Sequence, residues 1–255
     1  AGGQTAGCCI GIVGTTPQYN GDADVNVWDC DFHLVWDAVK CDWPGGFLRA
    51  NNNYFRTCGR YACHTKASAA AAIQIVGNYA DGRTSPGLIW LEGNLGGGVI
   101  ASNWMQASQV HIAITAVNLI VNELIIIGNL LDQDTPSVGV IVITGTPSTG
   151  SNCIKISDNY IRTIDYGVLV QDCSNIVISD NYVYTLGSQP SLVIGGSVSC
   201  NNIEILGNRI RMQGAAYATP PDYGIQLSNP SMTNVFVQGN NATSEGGNCT
   251  AMIGI

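Results

Sequence analysis

Positive charge is scarce in this chain. Ten Lys and Arg stand against eighteen Asp and Glu, a net charge of −8 over 255 residues. Nucleic-acid binding needs a basic stripe to neutralise phosphates, and a bilayer-surface protein needs one to meet anionic lipid. No such stripe exists, so neither partner is expected. Long apolar runs are missing as well. The longest, from Leu124 to Leu131, is interrupted by Gly128 and Asn129 and is too short to cross a bilayer. Helix formers gather only from Ala67 to Ala72, a stretch that leads into the apolar Ile73-Gln74-Ile75. The ten Cys show no zinc-type CxxC spacing, and His33, His64 and His111 share no ligand spacing. We read the three His as surface or turn residues and expect neither metal nor cofactor. The partners left are neutral glycans, proteins, or anionic glycans bridged by a cation.

What the chain has in abundance is repetition. Ile154-Lys155-Ile156-Ser157-Asp158-Asn159-Tyr160-Ile161 returns as Ile176-Val177-Ile178-Ser179-Asp180-Asn181-Tyr182-Val183. It returns again as Ile203-Glu204-Ile205-Leu206-Gly207-Asn208-Arg209-Ile210, and around Val235-Phe236-Val237-Gln238-Gly239-Asn240. A short strand closed by a turn Asn, repeated every twenty to thirty residues, marks a chain wound as a solenoid. Extending the pattern backwards places turn anchors at Cys30, Asn53, Asn78, Asn103, Asn129, Asn159, Asn181, Asn208 and Asn240. Side chains alternate along a strand, so the residues five and three before each anchor and two after it face inward. All of these are apolar except Gly98. A further strand per coil follows a Gly, as in Gly139-Val140-Ile141-Val142-Ile143, Gly167-Val168-Leu169-Val170 and Gly224-Ile225-Gln226-Leu227. The fold expected is all-β: a right-handed, single-stranded parallel β-helix of about nine or more coils, forming one domain over residues 1–255.

Asn suits the anchor because it tolerates left-handed backbone and its amide can bond the Asn above and below. The chain opens on Ala1-Gly2-Gly3-Gln4 and stops at Met252-Ile253-Gly254-Ile255 within a strand-like stretch, with no polar cap at either end. That pattern suggests a segment of a longer polypeptide, or ends covered by another subunit. Cys173 and Cys200 each precede their strand's first Ile by three residues and should stack, within disulfide reach or as buried thiols.

Three features carry candidate chemistry. Asp158 and Asp180 share one register a coil apart, so their Cα atoms should lie about 5 Å apart. Such a pair suits a retaining glycosidase, with one nucleophile and one proton donor; equally, both residues suit corner Asx-turns. Asp22-x-Asp24, Asp29-x-Asp31 and Asp132-x-Asp134, the first two near Asp37 and Asp42, could hold Ca²⁺ or form solvated loops. The column after the anchor reads Asp31, Tyr54, Tyr79, Trp104, Leu130, Tyr160, Tyr182, Arg209 and Asn241. Its outward-facing aromatics Tyr54, Tyr79, Trp104, Tyr160 and Tyr182 could stack on one another, meet a subunit, or form a sugar-binding platform.

With its Ile-x-Ile-x-Asp-Asn-x-Ile and Asn-Ile-x-Ile-x-Gly-Asn-x-Ile coils, the chain resembles right-handed parallel β-helix proteins of the pectate-lyase-like superfamily, most of all bacteriophage tailspikes and virion fibres. The resemblance implies a homotrimer of rods on an extracellular virion. It would be joined to other virion proteins through segments outside this chain, and would recognise and often cleave host surface polysaccharide. The polygalacturonase set of Asn-Thr-Asp, paired Asp and Gly-His-Gly is absent. So are the Arg-x-x-Arg pair of a pectate lyase and the Asp-Pro-His of a mannuronan epimerase. Two alternatives stand beside the virion reading: a secreted carbohydrate-active enzyme, and a structural fibre or adhesin without catalysis.

Overall fold

The computed structural model describes residues 8–13, 24–42, 47–65, 71–82, 87–92, 95–107, 110–115, 123–134, 138–145, 153–197, 200–213, 223–228, 231–245 and 251–254. Among these there is no helix, and every strand but the last of each sheet pairs in parallel with the strand three further on. The result is a parallel β-solenoid with three faces. Sheet I has ten strands from Cys8–Val13 to Ala251–Gly254; sheet II has nine from Asp24–Trp28 to Thr233–Gln238; sheet III has nine from Asp31–His33 to Asn241–Glu245.

Register is set by like residues lying over like. Ile154, Ile176, Ile203 and Val235 are successive partners in sheet II, and Ile161, Val183, Ile210 and Ala242 in sheet III. A one-residue slip would turn every one of these side chains to solvent. The interior is accordingly a continuous pile of Ile, Val and Leu, with Leu124, Ile126, Leu131, Ile156, Ile178 and Ile205 fully buried. Gly98 interrupts this pile for a steric reason. A Cβ there would stand 2.3 Å from Ile73 Cγ1 and 2.5 Å from the Ile73 carbonyl oxygen. The strand carries a bulge between Leu95 and Gly97 that brings the coils together at this point.

The corner from sheet II to sheet III is two residues long and chemically uniform. The first residue is left-handed in every coil: Asp29, Asn52, Gly77, Ser102, Gly128, Asp158, Asp180, Gly207 and Gly239 have φ between 50° and 70°. Asp, Asn and Gly bear that conformation at little cost, which is why they dominate the column. The second residue is the anchor. From Cys30 to Asn208 the anchor N–H donates to the Oδ1 of the next Asn along the axis, as in Asn129 to Asn159 and Asn159 to Asn181 at 3.0 Å. From Asn53 to Asn208 the Nδ2 donates to that same oxygen and to a carbonyl one coil back, as from Asn159 to Asn181 (2.9 Å) and to Ile126 (3.0 Å). The ladder runs unbroken from Asn53 to Asn240, and Cys30 joins it through its own N–H. Asn53, Asn78, Asn103, Asn129, Asn159, Asn181 and Asn208 are all buried. Water cannot reach those amides, so the ladder must satisfy them internally.

Candidate functional site on the outer face of sheet III

Two outward columns run side by side along sheet III. The first follows the anchor, and its expected aromatics do line up: Tyr54, Tyr79, Trp104, Leu130, Tyr160, Tyr182, Arg209 and Asn241 are successive partners. Tyr54 stacks on Tyr79 at 4.6 Å between centroids, Tyr79 meets Trp104 edge-on at 5.2 Å, and Tyr160 stacks on Tyr182 at 5.1 Å. These contacts stabilise the rod by about 0.5–1.5 kcal/mol each. They do not use up the column. Trp104, Leu130 and Tyr160 are consecutive rungs and remain 51%, 40% and 43% exposed, a continuous apolar strip across three coils.

The second column lies two residues on and is polar. Asp132 accepts from Arg162 Nη1 at 2.6 Å, and this hydrogen bond holds the Arg162 pKa above its ordinary value. Arg56 pairs with Asp31 at 3.1 Å and lies 4.2 Å over the Tyr54 ring. Arg211 donates to Glu245 at 2.9 and 2.5 Å, and Tyr184 is hydrogen-bonded to Gln213. Apolar rings thus run beside fixed hydrogen-bonding groups, the composition a sugar-binding surface needs. At the end of the first column a cavity of about 280 Å³ is lined by Tyr182, Arg209, Ile210, Arg211, Asn241 and Thr243.

Asp158 and Asp180 occupy neighbouring rungs of the exposed left-handed corner, two residues before Tyr160 and Tyr182. Their backbone N–H groups donate to Ser179 O (3.2 Å) and Leu206 O (2.9 Å). The Asp180 carboxylate leans onto the next coil, where a Cβ on Gly207 would come 2.5 Å from its Oδ1. The corner therefore places the two Asp residues on adjacent rungs at one edge, bordering the aromatic column. The other acidic residues spread out. Asp31 and Asp132 are paired as above, Asp37 is buried against Arg60, and Asp22 lies outside the described residues. Among the described residues no three His, Cys, Asp or Glu side chains converge on a point.

Two histidines correct the sequence reading. His64 and His111 are strand residues, 5% and 0% exposed, whereas His33 is exposed as expected. Burial lowers the pKa of both, that of His111 to about 4, and His111 Nε2 lies 3.0 Å from the Asp132 carbonyl oxygen. His64 belongs to a group on sheet I that pattern reasoning missed. Arg60 donates to both Asp37 oxygens, and the Tyr61 ring lies 4.6 Å from His64 and 5.4 Å from Trp90. Trp90 Nε1 donates to Glu92 Oε1 at 2.8 Å, and His64 Nε2 is 3.9 Å from that oxygen. Register could have shown it: Lys40, His64 and Trp90 are successive partners. Within this group Asp37 and His64 are almost wholly buried, while Arg60, Tyr61, Trp90 and Glu92 are half-buried; the large side chains of the sheet III strip are more open.

Cys173 and Cys200 are buried thiols, donating to Gln171 O (3.1 Å) and Gly195 O (3.5 Å). Burial pushes the Cys173 thiol up to about 12, so it is inert as a nucleophile at neutral pH. Comparison with known protein families, curated proteins and solved structures finds no match to this chain.

Proposed function

We propose that this solenoid is the shaft of a virion tailspike or fibre that binds polysaccharide on a host cell surface, working as a homotrimer. The observation that carries the reading is the strip Trp104–Leu130–Tyr160, exposed on three consecutive coils beside Gln106, Asp132 and Arg162. Burying large apolar side chains is worth about 1.5–3 kcal/mol each, so a rod leaving three in a row on one open face points to a ligand there. Trp104 and Tyr160 stand two rungs, about 10 Å, apart on a straight face with Leu130 between them; their exposed edges and the Leu130 side chain suit an extended repetitive chain whose hydroxyls meet the neighbouring polar column. A net charge of −8 leaves nucleic acid and anionic bilayers as poor competitors.

Cleavage of the bound chain is the second part of the proposal. Asp158 and Asp180, on adjacent rungs at the edge of the strip, would act as nucleophile and proton donor of a retaining hydrolase. A secreted glycan-cleaving enzyme would use the same residues as a monomer. The test is a panel of bacterial capsular and O-antigen polysaccharides, scored for retention of the protein and for new reducing ends. Retention that is lost in Trp104→Ala supports the reading, and absence of retention by any polysaccharide overturns it. Sedimentation equilibrium separates trimer from monomer.

A further inference from the structure

The aromatic column does not simply stop after Tyr182. Its next rung is Arg209, followed by Asn241. One face of the Tyr182 ring is covered by Tyr160, and on the other side the register places Arg209. The cavity of about 280 Å³ opens here and has Tyr182 and Arg209 in its wall.

The charges around that cavity are not equivalent. Arg211 is engaged by Glu245, at 2.9 and 2.5 Å, and its guanidinium lies 5.3 Å from the Tyr184 ring. Arg209 is different. Its backbone N–H donates to Asn181 O at 2.8 Å, but its side chain is exposed and has no carboxylate or hydrogen-bond partner among the described residues. The other arginines of the sheet III face, Arg56, Arg162 and Arg211, are each paired with a carboxylate. Arg209 is thus an uncommitted guanidinium at the end of a ring stack, on a protein with eighteen acidic and ten basic residues.

We infer that this cavity is a subsite for a carboxylate-bearing sugar, with Arg209 clamping the carboxylate. The inference rests on the glycan reading of the sheet III face and adds to it the charge class of the glycan. Four of the wall residues have a direct part. The Arg209 fork offers two parallel N–H donors that match a carboxylate, a geometry Lys cannot reproduce. The free edge of Tyr182 meets the apolar face of the sugar ring. Asn241 and Thr243 supply an amide and a hydroxyl for ring hydroxyls, which a bare anion would not use. The cavity is just below the range of about 300–1,000 Å³ typical of small-molecule sites, the size for one sugar residue of a longer chain. An acidic glycan is otherwise repelled by this protein, so one uncommitted cation in the ring column also fixes where along the rod the acidic residue sits.

The test uses side-chain ¹⁵N NMR of the whole chain, with the Arg209 Nε resonance assigned by its loss in Arg209→Gln. Methyl glucuronide, methyl glucoside and acetate are titrated separately to about 50 mM. The expected result is a saturable shift of the Arg209 resonance with methyl glucuronide, at least tenfold stronger than with either other probe. A response to acetate equal to that of the glucuronide overturns a sugar subsite, and no response to the glucuronide overturns any carboxylate subsite. Retention on the polysaccharide panel is scored in parallel. Retention that depends on Trp104 but not on Arg209 sinks this inference alone, whereas no retention at all sinks the glycan reading with it.

Discussion

Removing one amide from the interior of the Asn ladder should cost far more than removing the last one. Asn159 is 1% exposed and makes four side-chain hydrogen bonds. Its Nδ2 donates to Ile126 O (3.0 Å) and Asn181 Oδ1 (2.9 Å), and its Oδ1 accepts from the N–H and Nδ2 of Asn129 (3.0 and 2.9 Å). In Asn159→Ala the Asn129 N–H and the Ile126 carbonyl lose these partners where water cannot follow. At about 1–3 kcal/mol for each unsatisfied buried group, the loss is about 2–6 kcal/mol. Asn240 closes the ladder on a half-exposed coil, so water can replace much of what Asn240→Ala removes, and about 1 kcal/mol is expected. Asn159→Asp adds a control at constant volume. It keeps the acceptor facing Asn129 but turns an acceptor toward Ile126 O and Asn181 Oδ1, so it should destabilise at least as much as Ala. The assay is urea unfolding followed by circular dichroism and Trp fluorescence, with coincident transitions required before free energies are compared. Equal costs for Asn159→Ala and Asn240→Ala, or a tolerated Asn159→Asp, would refute the idea that the ladder holds the corner through its donors.

Other outcomes follow from single residues. His111 has a folded-state pKa of about 4 against 6.5 unfolded, so its contribution is complete above pH 6.5 and is lost as pH falls toward 4. Between pH 7 and 4 the wild type should lose about 3 kcal/mol more stability than His111→Gln, read from unfolding curves at each pH; parallel losses would exclude it. Gly98→Ala must place a methyl 2.3 Å from Ile73, and a drop of about 1–3 kcal/mol should appear as a lower Tm. An unchanged Tm would mean that the close approach of the coils is not real. Asp158→Asn and Asp180→Asn keep a residue type that accepts the left-handed corner, so both should fold with wild-type Tm while release of reducing ends falls at least a hundredfold. Undiminished release in both variants would remove the pair from the mechanism.

The winding was legible because it depends on one residue per coil. Asn159, Asn181 and Asn208 identify the corner, the corner sets the register, and the register decides which of Ile156 or Lys155 is buried. The aromatic column came from the same alignment, and so in principle did the Asp132–Arg162 pair, which needs only the column two residues on. The histidines were not legible. His64 and His111 lie on sheet I, reached from sheet III through links whose length changes from coil to coil, so the anchor does not carry register that far. The corner carboxylates were legible in place but not in role. Asp158 and Asp180 sit where Asn52, Ser102 and Gly207 also sit, so the backbone alone explains an Asp there. Arg209 stood in the aromatic column from the start. Its significance needed the partners of Arg56, Arg162 and Arg211, which only the packed side chains reveal.

Hydroxyl-radical footprinting of the protein with and without a retained polysaccharide tests the central claim most directly. Trp104 and Trp28 are both open to the oxidant, at 51% and 58% exposed, but only Trp104 lies in the sheet III strip. Bound glycan should protect Trp104 and Tyr160 severalfold and leave Trp28 unchanged. Retention of the polysaccharide with Trp104 and Tyr160 oxidised at their free rates would place the binding surface elsewhere.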